Sequence, residues 1–367
     1  MLRGAEKWLF PYLRTARHAV RISPATPLHA CIAVCDHYEP LHDTDLVGAR
    51  STIAHWQEKW PVMVAEHRDS SGRGPRHSFF YPIEQYDTSL IAPLADLCRQ
   101  TGSEVEIHLH HDRDTRETLT AKLTQGVADL ASHGLLSRDA SGRPAYAFIH
   151  GNWALDHSHP SGRKCGVPDE LAVLRETGCY ADMTMPAAPD PCQTSIINAA
   201  YYAREDGLPR SHDRGIPVRK GQTATLRDLR DHLLLIQGPL GLNWRWRKWG
   251  LIPRLENGDA SGSNPPTLNR LKLWLSHCPR VLDGPPWLFI KLHTHGGISK
   301  NYQILLGQAM RRFYQELTRF ETHTPGFHFH FVTAREMVNL VHAAEDGKQG
   351  SPADWLDYCH ARPPVLG

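Results

Sequence analysis

The sequence lacks an excess of charge of either sign. Its 367 residues include 41 Lys and Arg against 39 Asp and Glu, which gives a formal net charge of +2 at pH 7. Proteins that bind nucleic acid through its phosphates normally carry a basic face, and this balanced composition gives no sign of one. We therefore expect no nucleic-acid partner.

Long apolar runs and paired cysteine motifs are also missing. The N-terminal segment, 1–24, is basic and contains the apolar stretch WLFPYL, but a proline and several arginines interrupt it before it reaches the length of a signal peptide or a membrane span. The eight cysteines include no C-x-x-C pair, so reduced thiols are expected rather than a disulfide framework. These absences predict a cytoplasmic protein. Peripheral membrane contact through 1–24 stays an alternative to packing of that segment on its own domain.

Short apolar runs alternate along the chain with longer stretches of helical period. Runs typical of strands lie at 28–36, 78–83, 104–110, 145–151, 179–185, 232–238, 286–293 and 327–332. Helical stretches lie at 48–67, 88–102, 115–134, 168–178, 267–278, 302–322 and 333–347. Seven or eight strand-then-helix units predict a parallel α/β sheet and favour a (β/α) barrel, either seven-stranded or a distorted TIM-like one.

The Gly/Pro/Ser-rich breaks between these units are short, and no repeat of fixed period or low-complexity tract is present. We therefore expect a single barrel domain over 25–346. The N-terminal basic amphipathic segment, 1–24, precedes it, and a C-terminal tail, 347–367, follows it.

Histidine is abundant, with 24 residues, and it collects with acidic residues where predicted strands end. In parallel β/α folds the carboxyl ends of the strands meet at one rim, which is where active sites lie. Solubility alone would not place histidines and acidic residues at the same end of successive buried strands. This placement therefore predicts a functional site. The residues concerned are Asp36, His37, Glu39, His110, His111, Asp112, Asp114, His150, Asn152, Trp153, Asp156, Asp182, His293 and His295.

Each feature also has an ordinary structural interpretation. Asp112 or Asp114 can cap the helix that follows, and His108, which shares a strand face with His110, can be a satisfied core histidine. His212 is expected to be solvated in a polar loop. The aromatic stretch NWRWRKW, 243–249, can stack sugars or bases, but we expect a loop packed on the barrel.

Three short motifs, in chain order, resemble those of the polysaccharide deacetylase family of metal-dependent carbohydrate esterases. That family's first strand ends in TFDD, where this chain has AVCDH, and its second motif is H-[ST]-x-x-H, where this chain has HHDRD. Its late LLHD-like strand matches FIKLHTHG. The combination of DHYEP, HLHHD, HGNWALD and KLHTHG is similar to a divergent, uncharacterised bacterial branch. The family's R-x-P-x-G motif is absent, and HGNWALD occupies its place.

The resemblance implies a role for each matching residue. Asp36 corresponds to the catalytic base and His293 to the catalytic acid. The metal ligands become His37, His110 and Asp114, a permuted set in which Glu39 is an alternative to His37. The substrate implied is a saccharide or glycan precursor that loses an N- or O-acetyl group.

Two imidazoles and one carboxylate are a ligand set used by catalytic zinc, and they also hold Co, Ni, Mn or Fe. We therefore expect a divalent metal, with zinc first. The remaining polar residues at the strand ends are expected to ligate the metal or to orient its ligands. Trp153 is expected to contact the substrate. The residues expected around the ligands are Glu39, His111, Asp112, His150, Asn152, Asp156, Asp182 and His295.

Two other functions stay open from the sequence. The paired His293 and His295 resemble the H-x-H metal ligands of amidohydrolases and of polymerase-and-histidinol-type phosphoesterases, although those families usually carry them on the first strand. The missing arginine motif and the permuted ligands also fit a glycan-binding barrel without catalytic activity.

Overall fold

A computed structural model describes residues 4–14 and 22–367. Residues 1–3 and 15–21 lie outside the described residues, so the segment predicted at 1–24 is described only in part. Residues 5–14 of that segment form an amphipathic helix whose Trp8 and Tyr12 are buried. The prediction that this segment packs on its own domain is therefore confirmed for the part of the helix that the structure describes.

Thirteen strands and nine α-helices are present in the described residues. The strands are β1 (Leu28–His37), β2 (Ser78–Pro82), β3 (Glu104–Leu109), β4 (Ser137–Arg138), β5 (Pro144–His150), β6 (Cys179–Asp182), β7 (Ala200–Arg204), β8 (Gly215–Pro217), β9 (His232–Ile236), β10 (Gly241–Lys248), β11 (Ile252–Glu256), β12 (Trp287–Thr294) and β13 (Phe327–Phe331). The helices are α1 (Ala5–Arg14), α2 (Leu46–Glu66), α3 (Thr88–Thr101), α4 (Arg116–Ser132), α5 (Glu170–Glu176), α6 (Leu268–Leu275), α7 (Ser299–Leu305), α8 (Gln308–Thr322) and α9 (Ala334–Glu345).

The central sheet is large and mostly parallel. Its order is β12-β1-β2-β3-β5-β6-β9-β7-β8, and all neighbours from β12 to β9 run parallel. Strand β13 adds a further parallel pair to the first half of β1. The predicted α/β class with a parallel sheet is confirmed.

Closure of this sheet into a barrel stays a prediction. The antiparallel strands β7 and β8 occupy the edge of β9, where a closing parallel strand would pair. Within the described residues, a single bridge, Asp259 to His293, joins the chain that follows β9 to β12. The pairings of the described residues therefore leave the sheet open, and the bridge joins the segment after β11 to the end strand β12.

Alternation along β1 separates two cores. Ala30 and Ile32 belong to a cluster that contains the outer helices α2 and α3, whereas Cys31 and Cys35 face a second cluster that contains the buried helix α9. Because side chains alternate along a strand, His37 shares the face of Cys35, and Asp36 points the other way.

Most predicted elements agree with the structure within a few residues, including their end signals. Gly102 ends α3 in the left-handed conformation, with φ of 68°, and Thr333 forms a capping box with Glu336 at the start of α9. The helix predicted at 302–322 is wrong in its continuity, because α7 ends at Leu305 and α8 begins after Gly307. The prediction of a packed loop at 243–249 is also wrong, since this stretch lies in an antiparallel hairpin of β10 and β11 with exposed tryptophans.

No helix within residues 4–14 and 22–367 is both long and apolar enough to cross a membrane. The eight cysteines are all unpaired, and seven of them are buried, as expected for reduced core thiols.

Candidate metal centre

Histidines from β1 and β3, two strands separated by β2, meet one carboxylate at the rim of the sheet. His37 ends β1, Glu39 follows two residues later, His108 lies in β3 and His110 comes just after that strand. We call these four residues the rim group. His108 and His110 share one face because they are two residues apart, and the His37 ring lies 4.9 Å from that of His108 between centroids.

Glu39 lies between two of the imidazoles. Its Oε1 is 3.2 Å from His108 Nε2 and 3.3 Å from His110 Nε2. The Nδ1 atom of His108 is 2.9 Å from the carbonyl oxygen of Ile149, and that of His110 is 2.7 Å from Glu84 Oε1. These oxygens only accept hydrogen bonds, so each Nδ1 carries a proton.

This arrangement fixes the tautomer of both rings. A neutral imidazole that donates from Nδ1 has its lone pair on Nε2, and here both Nε2 atoms face a carboxylate oxygen. Two acceptors at such a distance need a proton or a cation between them. A histidine whose second nitrogen donates to a carbonyl or a carboxylate is the usual form of a metal ligand.

The ring nitrogens of His37 are available to bind a metal. Both ring nitrogens are buried without a hydrogen-bond partner, and the side chain is 1% exposed. Burial, together with the neighbouring His295, His108 and His293, lowers the pKa of His37 well below its usual value, so the ring is neutral. One ligand atom each from His37, Glu39 and His108 can be chosen so that all three lie within 4.8 Å of one another. This donor set fits a divalent ion such as zinc.

The charges of the group agree with a cation site. Burial opposes ionisation of Glu39, but the adjacent His108 and His110 imidazoles outweigh it and lower the pKa of this carboxyl below its ordinary value. Burial likewise opposes protonation of His110, yet Glu39 and Glu84 raise its pKa to about 9. Without a metal, a proton on His110 supplies the positive charge between the carboxylates, which is the place a cation would take.

A second compact group lies deeper in the same end of the sheet. It contains His111, His150, Cys165 and Glu170, all buried, and we call it the inner group. His111 Nε2 is 2.9 Å from Glu170 Oε1 and its Nδ1 is 3.2 Å from Asp114 Oδ2. Hydrogen bonding to these two carboxylates outweighs burial and raises the pKa of His111 to about 9. His111 therefore has a carboxylate near each ring nitrogen, which favours its protonated form.

The other members of the inner group are also poorly placed for a metal. The backbone N–H of Asn152 donates to His150 Nδ1 at 3.1 Å, so the neutral ring carries its proton on Nε2, the atom nearest Glu170. Burial raises the pKa of the Cys165 thiol, which keeps it protonated, whereas a metal requires the thiolate. Both groups have donor atoms close enough to hold a metal ion, and the partners of the inner histidines leave fewer nitrogens available there.

The predicted ligand set of His37, His110 and Asp114 is not brought together. Asp114 accepts hydrogen bonds from Lys122 Nζ at 2.7 Å and from Thr118 Oγ1 at 2.7 Å, next to His111 of the inner group. The reason is a turn at Arg113, whose φ is 58°, after which the N–H of Asp114 donates to the carbonyl oxygen of Cys165 at 3.0 Å.

Asp36 is fully buried and both of its oxygens are engaged. Oδ2 is 2.8 Å from His77 Nε2, and Oδ1 accepts the N–H of Gly296 at 2.5 Å. A Cβ added at Gly296 would lie 2.1 Å from Asp36 Oδ2, so only glycine fits there. Its contacts make Asp36 a positioning residue for the segment that carries His295, while its predicted role as base stays a prediction.

His293 and His295 border the rim group on the side of β12. The His295 ring is 4.8 Å and the His293 ring 6.1 Å from His37, between centroids. His293 Nδ1 is buried without a hydrogen-bond partner. Burial, with Lys291 and His295 adding to it, lowers the pKa of His293 well below its usual value, so this ring is neutral and can accept a proton.

Trp153, the residue predicted to contact the substrate, lies beside the rim group. Its ring is 4.8 Å from that of His37 and 5.4 Å from that of His293. It also lines a cavity of about 370 Å³ together with the loop 186–191 and Asn257. An aromatic face therefore stands between the rim group and an open cavity.

The remaining predicted residues lie away from the rim group. Asp112 pairs with Arg163, whose Nε is 2.7 Å from Oδ2. Asp182 accepts from Thr184 Oγ1 at 2.7 Å, and burial raises its pKa to about 6. Asp156 lies beside His212, whose Nδ1 is 3.5 Å from Oδ2.

Three of the ordinary interpretations need correction. His212 is fully buried, so the expectation of a solvated residue is wrong. The helix after HHDRD is capped by Thr115, which shares a capping box with Thr118, and not by Asp112 or Asp114. His108 is a buried strand histidine, as considered, but it belongs to the rim group.

Two residues with clear roles were missed from the sequence. Glu84 follows β2 and holds Nδ1 of His110, and His77, directly before β2, pairs with Asp36. The position of Glu84 just after a strand was the only signal for it.

A scan of protein-family models and a search of curated proteins each gave no match to this chain.

Proposed function

We propose that the chain is a divalent-metal-dependent hydrolase that removes an acyl group from a saccharide or glycan precursor. The observation that carries this proposal is the convergence of His37, His108 and His110 on Glu39, with two tautomers fixed and the nitrogens of His37 unpartnered. Buried polar atoms without a partner cost free energy, and a cation bound by the His37 ring would offset that cost.

His37, Glu39 and His108 would hold the metal. His110, whose Nε2 lies beside the same oxygen of Glu39, would be a further ligand. A bound divalent ion supplies polarisation of an acyl oxygen and a more acidic water. Glu84, through Nδ1 of His110, and the carbonyl of Ile149, through Nδ1 of His108, keep both Nε2 lone pairs directed at the site.

Proton transfer is assigned to His293. Burial keeps this ring neutral, and its unpartnered Nδ1 is available to accept a proton from the attacking water and to return it to the departing amine or alkoxide. This order differs from the role implied by the family resemblance, in which the residue starts as the acid. Asp36 accepts a hydrogen bond from the N–H of Gly296 and so holds the segment that carries His295. We assign Asp36 this positioning role.

The saccharide part of the proposal is supported by Trp153 and the cavity beside it. A half-buried aromatic ring that borders a cavity is a common platform for the apolar face of a sugar. The backbone of Trp153 has φ of 61°, a left-handed conformation that is unfavourable for a bulky residue and is found mainly where function requires it.

The test compares acyl release from N-acetylglucosamine oligomers and O-acetylated xylo-oligosaccharides by wild-type protein and two variants. We expect His108→Ala to lose both metal and turnover, and His293→Ala to lose turnover while its metal content is retained. His159→Ala, which removes an imidazole from a loop away from the rim group, serves as the control.

Three results would contradict the proposal. Full turnover by His108→Ala would separate the chemistry from the rim group. Release of phosphate from phosphomonoesters without acyl release would favour a phosphoesterase. Saccharide binding without turnover in the metal-loaded wild type would favour a glycan-binding protein.

A further inference from the structure

Exposed apolar side chains concentrate on one small part of the surface. Of the 13 large hydrophobic residues exposed in the described residues, seven belong to α1 or to the hairpin of β10 and β11, including all three exposed tryptophans. We call these seven, with the cations among them, the hairpin surface. The apolar members are Phe10, Leu13, Trp244, Trp246, Trp249, Leu251 and Ile252.

The tip of the hairpin is its most apolar part. Trp249 and Leu251 are 76% and 78% exposed, and Leu251 N–H donates to the carbonyl of Lys248 to close the turn. The two central residues, Trp249 and Gly250, both have positive φ, of 53° and 70°. An L-residue in this conformation costs roughly 1–2 kcal/mol, and asparagine or glycine adopts it more easily. The geometry of the turn therefore does not explain the tryptophan at this position.

Cations flank the tip. The hairpin from 241 to 255 contains Arg245, Arg247, Lys248 and Arg254 and no acidic residue. Arg254 lies 4.2 Å above the Trp246 ring and Lys248 4.4 Å above the Trp249 ring. An apolar tip with a belt of cations behind it matches the boundary between acyl chains and anionic headgroups.

Helix α1 belongs to the same surface. Trp8 and Tyr12 pack with Leu240 in a cluster that also contacts Leu242 and Leu255 at the base of the hairpin. The opposite side of the helix exposes Phe10 and Leu13, and Arg14 lies 4.2 Å above the Phe10 ring. The helix and the hairpin therefore present one continuous apolar and basic face.

This face lies at the same rim as the candidate metal centre. The hairpin leaves the carboxyl end of β9, and the chain that returns from it hydrogen-bonds to β12, with Ala260 N–H donating to the carbonyl of His293 at 2.8 Å. Lys7 of α1 donates to the carbonyl of Pro191, in the loop that lines the cavity beside Trp153.

We propose that the hairpin surface docks on an anionic lipid bilayer and turns the rim of the sheet toward it. The charge pattern favours this occupant over the alternatives. In a symmetric dimer, the four cations of one hairpin would face the same four cations of the other, which disfavours a second copy of the chain. A sugar is disfavoured because a cation covers one face of each hairpin tryptophan. Docking does not depend on the proposed function, but the consequence that the acylated substrate is itself held at the membrane rests on it.

The test is co-sedimentation of the full chain with vesicles of phosphatidylglycerol and phosphatidylcholine in equal parts, compared with phosphatidylcholine alone. We expect binding to the mixed vesicles that weakens as salt is added. Arg245→Gln with Arg247→Gln should weaken partitioning about thirtyfold, because each cation near the surface contributes about fivefold. Trp249→Ser with Leu251→Ser should weaken it more than tenfold.

Matched controls lie at the other end of the sheet. Arg138→Gln with Arg143→Gln removes two cations from the turn before β5, and Val62→Ser removes an exposed apolar residue from α2. Both controls should bind as wild type does. Failure of wild type to sediment, equal binding to neutral vesicles, or unchanged binding by the tip variant would overturn the proposal. So would binding of an oligosaccharide, or dimer formation, that needs the tip while vesicles are not bound.

Discussion

The rim group and the inner group have similar compositions and differ in the partners of their histidines. Each contains two or more histidines and a buried glutamate. In the inner group, both nitrogens of His111 are opposed by carboxylates. In the rim group, the two nitrogens of His37 have no partner and Nε2 of His108 directs its lone pair at Glu39, while His110, with Glu84 and Glu39 at its two nitrogens, resembles His111.

The difference lies in where each proton is held. A carbonyl or carboxylate that accepts the proton of one ring nitrogen leaves the other nitrogen free to bind a cation. Carboxylates at both nitrogens instead favour two protons, which make the ring itself a cation. A cluster of histidines is therefore a metal site only where its second hydrogen-bond partners leave lone pairs directed inward. The two groups together allow this rule to be tested in a single chain.

The largest effect is expected from removal of the carboxylate of the inner group. Glu170→Ala leaves the buried imidazolium of His111 without one of its two anions, which should lower the free energy of unfolding by about 3–5 kcal/mol. Metal content should be unchanged. Denaturant unfolding measures the stability, with Glu176→Ala on the exposed end of α5 as a control that costs less than about 1 kcal/mol. Loss of metal without loss of stability would assign the metal to the inner group.

The pH dependence of stability should next test the charge of His111, to which His110 of the rim group adds a contribution in the same pH range. The pKa of His111 is about 9 in the folded chain and near 6.5 when unfolded. A raised folded pKa gives stability that is fully present below about 6.5 and is lost as pH rises through about 9, a difference of roughly 3 kcal/mol. We expect the free energy of unfolding to fall between these values, and His111→Gln to flatten that slope. An unchanged slope in the variant would show that His111 is not the imidazolium.

A smaller effect is expected behind the rim group. Glu84→Gln keeps the shape of the partner of His110 but removes its charge, so metal affinity should fall about 10- to 100-fold. Competition with a chelating dye measures the affinity. Glu117→Gln, an exposed residue on α4, should leave it unchanged. Equal affinities in all three proteins would mean that His110 is not a ligand.

Much of the fold could be predicted because its signals are local. Periodicity located the parallel strands and their helices, and the capping residues Gly102 and Thr333 placed two helix ends. The hairpin of β10 and β11 could not be placed, since exposed tryptophans alternate with arginines in β10 and the usual apolar face is missing. The open edge of the sheet depends on pairings distant in sequence, which no local pattern records.

The candidate site was predicted in part, for a reason visible in one stretch. In HLHHD, two-residue alternation already sets His108 and His110 on one face and His111 on the other, and the structure follows it. The family resemblance instead joined His110 with Asp114, and the left-handed turn at Arg113 carries Asp114 to the inner group. A backbone reversal of that kind cannot be predicted from motif spacing.

The most direct test of the central claim is the X-ray absorption spectrum of zinc bound to the full chain. The rim group offers only nitrogen and oxygen ligands, while the inner group contains Cys165. We expect scatterers at about 2.0–2.2 Å with the signature of imidazole, and loss of bound zinc in His108→Ala. A sulfur scatterer at about 2.3 Å that disappears in Cys165→Ser, or a folded wild type that binds no zinc, would contradict the assignment of the metal to the rim group.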